Sequence, residues 1–138
     1  MNATEILSHL VAMPTDSTTA MQYVECANFI AQELEACGFD VQIVDGGDGN
    51  VPKPNVLATK HGTAEGYVLF AAHFDVVPVG DGWTFDPWQP TISDGKLYGR
   101  GSSDDKGAIA AFLEAMRDLA PTMGAKALFT CDEEIGGA

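Results

Sequence analysis

Apolar residues recur along this chain with two periods, and the switches between them mark out the elements. Over residues 4–13, Ile6, Leu7, Leu10 and Val11 fall at helical spacing and Pro14 stops the run, so a short first helix is expected. Thr18 and Thr19 are placed to cap a longer helix whose apolar stripe, Tyr23, Ala27, Ile30 and Leu34, ends at the glycine stop Cys37-Gly38. Phe39, Val41 and Ile43 then alternate with Asp40 and Gln42, the period of a strand packed on that second helix. Residues 45–54 are mostly Gly, Asp, Asn and Pro without periodicity, which is loop chemistry. A strand resumes at 55–59, and the run 67–72, apolar at every position, predicts a central strand covered on both faces. Residues 80–90 form a loop carrying Trp83, Phe85 and Trp88, which either covers a pocket or anchors the loop on the core. Lys96-Leu-Tyr98 is a brief strand. Ile109, Phe112, Leu113, Met116 and Leu119 mark one face of a third helix, ended by Pro121. A last buried strand is expected over 126–131. Strands alternating with helices predict an α/β fold, a central mostly parallel sheet with flanking helices in one domain.

The polar residues that interrupt this pattern cluster where the strands end. His73 and Asp75 come after the 67–72 run, Asp104 and Asp105 after Gly99-Arg100-Gly101, and Glu133 and Glu134 after the last strand. Acids in such positions sit where α/β sheets bind ligands. Each has an ordinary reading: Asp104 as a helix cap, Glu133 and Glu134 as solvated acids, His73 as a hydrogen-bonded core residue. Three acid-bearing strand ends in one small sheet point instead to a metal site. Imidazole with carboxylates and no thiolate suits zinc, manganese or cobalt in hydrolytic chemistry. A bridging carboxylate holds two ions about 3.5–4 Å apart, and an unligated Glu nearby serves as base. A metal-binding imidazole needs an acceptor on its other nitrogen, and Asp75 supplies one if the chain bends after His73. His9 reads as a surface residue and His61 lies in turn chemistry. Phosphate binding is excluded: residues 99–104 lack the third glycine of the dinucleotide fingerprint, and Lys106 is followed by Gly107 rather than Ser or Thr.

Composition narrows the class further. At 138 residues and 46% hydrophobic, the chain has the size and make-up of one soluble domain. A net charge of −13 argues against nucleic acid and anionic membranes as partners. No apolar run approaches membrane-spanning length, and the cytoplasm is the expected location. Cys26, Cys37 and Cys131 are odd in number and unpaired in spacing, so reduced core thiols are expected.

His73-x-Asp75, then Asp94-Gly-Lys-Leu-Tyr-Gly-Arg-Gly101-x-x-Asp104-Asp-Lys-Gly107, then Asp132-Glu-Glu134, resembles the M20 metallopeptidase family, which includes acetylornithine deacetylase, succinyl-diaminopimelate desuccinylase, aminoacylases and dipeptidases. The resemblance implies that His73 binds one metal, Asp104 bridges two and Glu134 binds the second. It implies that Asp75 orients His73 and that Glu133 is the base. The cofactor implied is Zn2+, two per complete site, with Co2+ or Mn2+ as substitutes. The reaction implied is hydrolysis of an amide bond in a small N-acyl amino acid or a short peptide, with the deacylase branch favoured over the dipeptidases. The family's fold further implies that residues 1–138 are the N-terminal half of a catalytic domain. The lid domain, a downstream acid and a distant His are then absent, and the chain alone is an inactive fragment that binds metal weakly or self-associates, unless a homo-oligomer or a missing C-terminal part completes the site.

Overall fold

The computed structural model describes residues 1–137. Helix α1, Ala3–Val11, opens on a capping box: the Asn2 side chain accepts the Glu5 N–H and the Glu5 carboxylate accepts that of Asn2. Ile6, Leu10 and Val11 form its buried face. Helix α2, Tyr23–Ala36, starts three to four residues later than Thr18 and Thr19 predict. Neither threonine caps it. The Thr18 N–H and hydroxyl both go to the Asp16 carboxylate, which is the nearer acceptor, and the helix begins after Gln22 in a left-handed conformation.

Four strands form the main sheet: β1, Asp40–Asp45; β2, Pro54–Lys60; β3, Tyr67–His73; and, after the third helix, the strand Gly124–Thr130. Between them lie a small hairpin, β4 (Thr91–Ser93) and β5 (Lys96–Tyr98), and helix α3, Lys106–Arg117, so the last strand is β6. Asp94 and Gly95, both at positive φ, turn the hairpin. The sheet order is β1-β2-β6-β3.

Among the described strands of this sheet only the β3–β6 pair is parallel; β1–β2 and β2–β6 are antiparallel, which corrects the expectation of a mostly parallel sheet. A parallel connection needs a crossover long enough to return the chain to the same end of the sheet. The β1–β2 link holds no helix and closes as a hairpin, whereas α3 supplies the crossover from β3 to β6. The α/β class stands.

Strand β3 is also an edge strand among the described residues rather than a central one, since β6 enters between it and β2. Its apolar start is therefore open: Val68 and Leu69 are 61% and 62% exposed. Helices α2 and α3 cover one face of the sheet and α1 packs on α3. Beneath them lie Val56, Ala58, Ala72, Ala125, Ala127 and Phe129, packed with Ile30, Leu34, Ile109, Phe112 and Leu113. Phe70, Phe112 and Phe129 meet at ring-centroid distances of 4.6–6.0 Å, stacked or edge-on. On the opposite face Val44, Leu57, Tyr67 and Leu69 stay exposed. All three cysteines are buried and free. Leu119 lies beyond the end of α3 and is exposed rather than part of its apolar stripe.

Candidate metal centre

The parallel strands β3 and β6 end side by side, with His73 paired to Thr130 in register, so the segments leaving the two strands meet each other. After His73 the chain leaves the sheet. The Phe74 N–H still bonds to the Thr130 carbonyl, but Val76 pairs with the 15–17 segment, its N–H reaching the Thr15 carbonyl and its own carbonyl accepting from Ser17. That change of partner makes the bend that Asp75 needs. Asp75 is fully buried, and His73 Nδ1 lies 3.0 Å from its backbone carbonyl and 3.4 Å from its carboxylate. Both acceptors hold the ring with Nε2 turned outward.

Nε2 faces the other acids, 3.1 Å from Asp104 Oδ1 and 3.8 Å from Glu133 Oε2. Asp104 is not a helix cap. Its side chain is 81% exposed, and Asp105 takes the cap position of α3 without a side-chain bond. The loop before it is shaped by Gly101, at φ 81°, where a Cβ would stand 2.7 Å from Val76 Cγ1. Lys106, fully buried beside this loop, donates to the carbonyls of Leu10 and Met13 and ties the loop to the end of α1. Burial lowers its pKa to about 8.

Glu133 and Glu134 lie on a single 3-10 turn, Glu133–Ile135. Their backbone N–H groups, 3.2 and 3.1 Å from the two Asp75 oxygens, both donate to that carboxylate. One buried acid thus fixes the imidazole and the glutamate turn together. Ligand atoms of His73, Asp104 and Glu134 converge within 4.8 Å of one another. Beside them a cavity of about 270 Å³ is lined by Ala71, Ala72, His73, Asp105, Thr130 and Glu133.

The electrostatics match a place for a cation. Asp75, with help from Asp104, raises the His73 pKa to about 9 against the cost of burial. Glu134 is held above the usual carboxylate range by burial, with Asp104, Asp75 and Glu133 adding to the effect and His73 opposing it. An imidazole with an anchored second nitrogen, facing carboxylates with no thiolate near, is a donor set that fits zinc, cobalt or manganese.

Every site residue expected from the sequence is gathered here, and His9 and His61 are elsewhere: His9 packs on Phe29 and His61 bonds to the Tyr67 hydroxyl. The aromatic loop stays apart as well, with Trp83 against Arg100 and Phe85 against Tyr98. Unforeseen are the second role of Asp75, the strut Lys106, and the burial of Asp132 between Tyr23 and Lys53. The one local sign of the last is an acidic triplet of which one member turns inward.

Known proteins resemble this chain along most or nearly all of its length. The succinyl-diaminopimelate desuccinylase of Polynucleobacter necessarius subsp. necessarius (strain STIR1) is 44% identical over 119 residues, covering 79% of this chain and 31% of the relative. That of Sphingopyxis alaskensis is 38% identical over 137 residues, covering 97% and 35%. The chain therefore spans about a third of the length of these curated relatives. Among solved structures, the M20 family metallo-carboxypeptidase Sso-CP2 from Sulfolobus solfataricus superposes with a TM-score of 0.87 at 28% identity, covering 99% of this chain and 32% of that one. Human carnosine dipeptidase 1 gives 0.75 at 31% identity, covering 93% and 31%. Residues 69–138, which carry every candidate ligand, match the model of peptidase family M20/M25/M40, and the chain belongs to that family.

Proposed function

We propose that residues 1–138 form the N-terminal half of the catalytic domain of a metal-dependent amide hydrolase, of the type that removes an acyl group from an N-acyl amino acid. The observation that carries this reading is the convergence of His73, Asp104 and Glu134 at the ends of β3 and β6. The names of the curated relatives favour a deacylase, and a desuccinylase in particular, over a dipeptidase.

In this reading His73 and Asp104 hold one ion and Asp104 and Glu134 a second, zinc being the first choice, with the remaining ligands supplied by sequence outside this chain. Ions bound there would polarise the amide carbonyl and lower the pKa of a water. Asp75 keeps the His73 proton on Nδ1 so that Nε2 is a lone-pair donor. Glu133 is the base. Its carboxylate is exposed, has no hydrogen bond among the described residues that would hold it away, and lies 3.8 Å from His73 Nε2. It takes a proton from water as the new C–O bond forms at the carbonyl. It returns that proton to the amide nitrogen as the C–N bond breaks, releasing carboxylic acid and amine.

Calorimetric titration of the metal-stripped chain with zinc tests the site. Saturable binding, lost in His73→Ala and in Asp104→Ala, is the expected outcome. Binding that survives both substitutions would remove the reading.

A further inference from the structure

The turn that carries Glu133 and Glu134 is short, and its geometry depends on what grips it from outside. Asp75 grips the backbone after Asp132, through two N–H groups. The residue before that pair is gripped separately. Asp132 adopts a left-handed conformation, φ 61° and ψ 18°, which a residue with a Cβ holds only when its surroundings over-determine it. Its carboxylate is turned inward and only 3% exposed, although the chain as a whole carries a net charge of −13. Two groups from distant segments meet it there. The Tyr23 hydroxyl donates to Oδ1 at 2.9 Å, and Lys53 Nζ lies 2.6 Å from Oδ2. The Asp132 carbonyl accepts from Ile135 and Gly137 and closes the turn on itself.

Neither partner is a passive neighbour. Tyr23 is the first residue of α2, 1% exposed, and its ring meets Phe74 edge-on at 5.8 Å, one residue from His73. Burial and the bond to Asp132 hold its hydroxyl well above the usual range for a phenol, so it remains a donor. Lys53 comes from the loop before β2 and is held in its charged form by Asp132. An aspartate buried this deeply is costly unless paired, and these two groups pair it.

We propose that Tyr23 and Lys53 are positioning residues: acting through Asp132, they hold the turn in the one conformation that sets Glu133 and Glu134 against His73. The inference rests on the reading of Glu133 as base and Glu134 as ligand. A merely structural ion pair would instead support the fold at large and leave the site unchanged whenever the chain is folded.

Two measurements on the full chain separate these cases. In the metal-free chain, amide hydrogen exchange at Glu133 and Glu134 is compared between wild type, Tyr23→Phe, Lys53→Met and Lys53→Arg. Exchange at these two amides should quicken roughly tenfold in Tyr23→Phe, the low end of what a hydrogen bond to a charged group contributes. It should quicken further in Lys53→Met and return towards wild type in Lys53→Arg, while the amides of Ala72 and Phe129 keep their rates. With Co2+ as the probe, the visible bands of wild type and Lys53→Arg should coincide, and those of Tyr23→Phe and Lys53→Met should shift and need more metal to saturate. Unchanged exchange at Glu133 and Glu134, or an equal acceleration throughout β3 and β6, overturns the proposal. Cobalt bands identical in all four chains overturn it as well. A wild-type chain that gives no cobalt bands refutes the metal reading, and the exchange comparison then decides the clamp by itself.

Discussion

Replacing Asp75 with Asn should change the pH at which the chain takes up metal. In the metal-free protein His73 keeps its second proton up to about pH 9, because Nδ1 lies against the Asp75 carboxylate and carbonyl while Nε2 faces Asp104. A metal ion must displace that proton from Nε2. Over the interval between the ordinary histidine value of 6.5 and the raised one, affinity falls about tenfold for each unit of decreasing pH. The whole interval corresponds to roughly 3 kcal/mol of competition. Without the carboxylate the largest cause of the shift is gone, so in Asp75→Asn the affinity should level off nearer pH 6.5. Its absolute affinity should also drop, because the same carboxylate anchors Glu133 and Glu134, but the position of the plateau is independent of that loss. Zinc titrations at pH 7.5, in two buffers of different ionisation enthalpy, count the protons released. Close to one is expected from His73 in wild type and about a tenth in Asp75→Asn, the fraction protonated one unit above an ordinary histidine pKa. Equal proton release from the two proteins would refute the link between Asp75 and the His73 proton.

Stability should respond to the same group. A raised folded-state pKa stabilises the metal-free chain fully below about pH 6.5 and loses that contribution as pH rises through about 9, so the melting temperature should fall from pH 6.5 to 8, and not do so in Asp75→Asn. Lys106 works in the opposite sense above that window: its pKa, lowered to about 8, makes the buried charge a cost that is relieved as pH climbs from 8 towards 10.5. In Lys106→Met that alkaline gain should vanish, and loss of the Lys106 donor at the Leu10 and Met13 carbonyls, which keep the N–H groups of Met13 and Thr15, should cost about 1 kcal/mol in denaturant unfolding. Gly101→Ala should destabilise by about 1–3 kcal/mol, since the new Cβ meets Val76 and Lys106 at positive φ. Gly95→Ala, at positive φ with open space around it, should cost less in the same assay. Phe129→Ala, fully buried between Phe70 and Phe112, should cost about 3–5 kcal/mol.

The parts of this molecule that depend on local pattern were readable in advance. Helical spacing in α1, α2 and α3 located their buried faces, and the acids after β3 and β6 located the site, because strand ends of an α/β sheet are where polar side chains can converge; Asp104, expected at a third strand end of the same sheet, instead reaches the site from the loop before α3, since β5 lies in a separate two-stranded sheet. The order and direction of the strands were not readable. Nothing within residues 67–72 tells that β6 will lie on one side of β3 and no other described strand on the other, so an all-apolar run passed for a central strand. The hairpin at Asp94-Gly95 carried a known turn signal, but three residues on either side are too few for an alternation to show. Asp132 was masked by its neighbours: among three consecutive acids it is set apart by contacts with Tyr23 and Lys53, both distant in sequence.

The β3–α3–β6 crossover also orders events in time. His73 and Asp104 are separated by 31 residues, and pairing β3 with β6 over α3 brings them to Glu134 by closing a single loop of modest length, an entropic cost that rises only slowly with loop size. Tyr23 must instead be delivered to Asp132 across 109 residues by the docking of α2. Contacts that distant form late in a refolding chain. On the proposed reading of the site, its ligands would meet before the clamp closes, and metal added during refolding should speed the docking of the N-terminal helices onto the sheet.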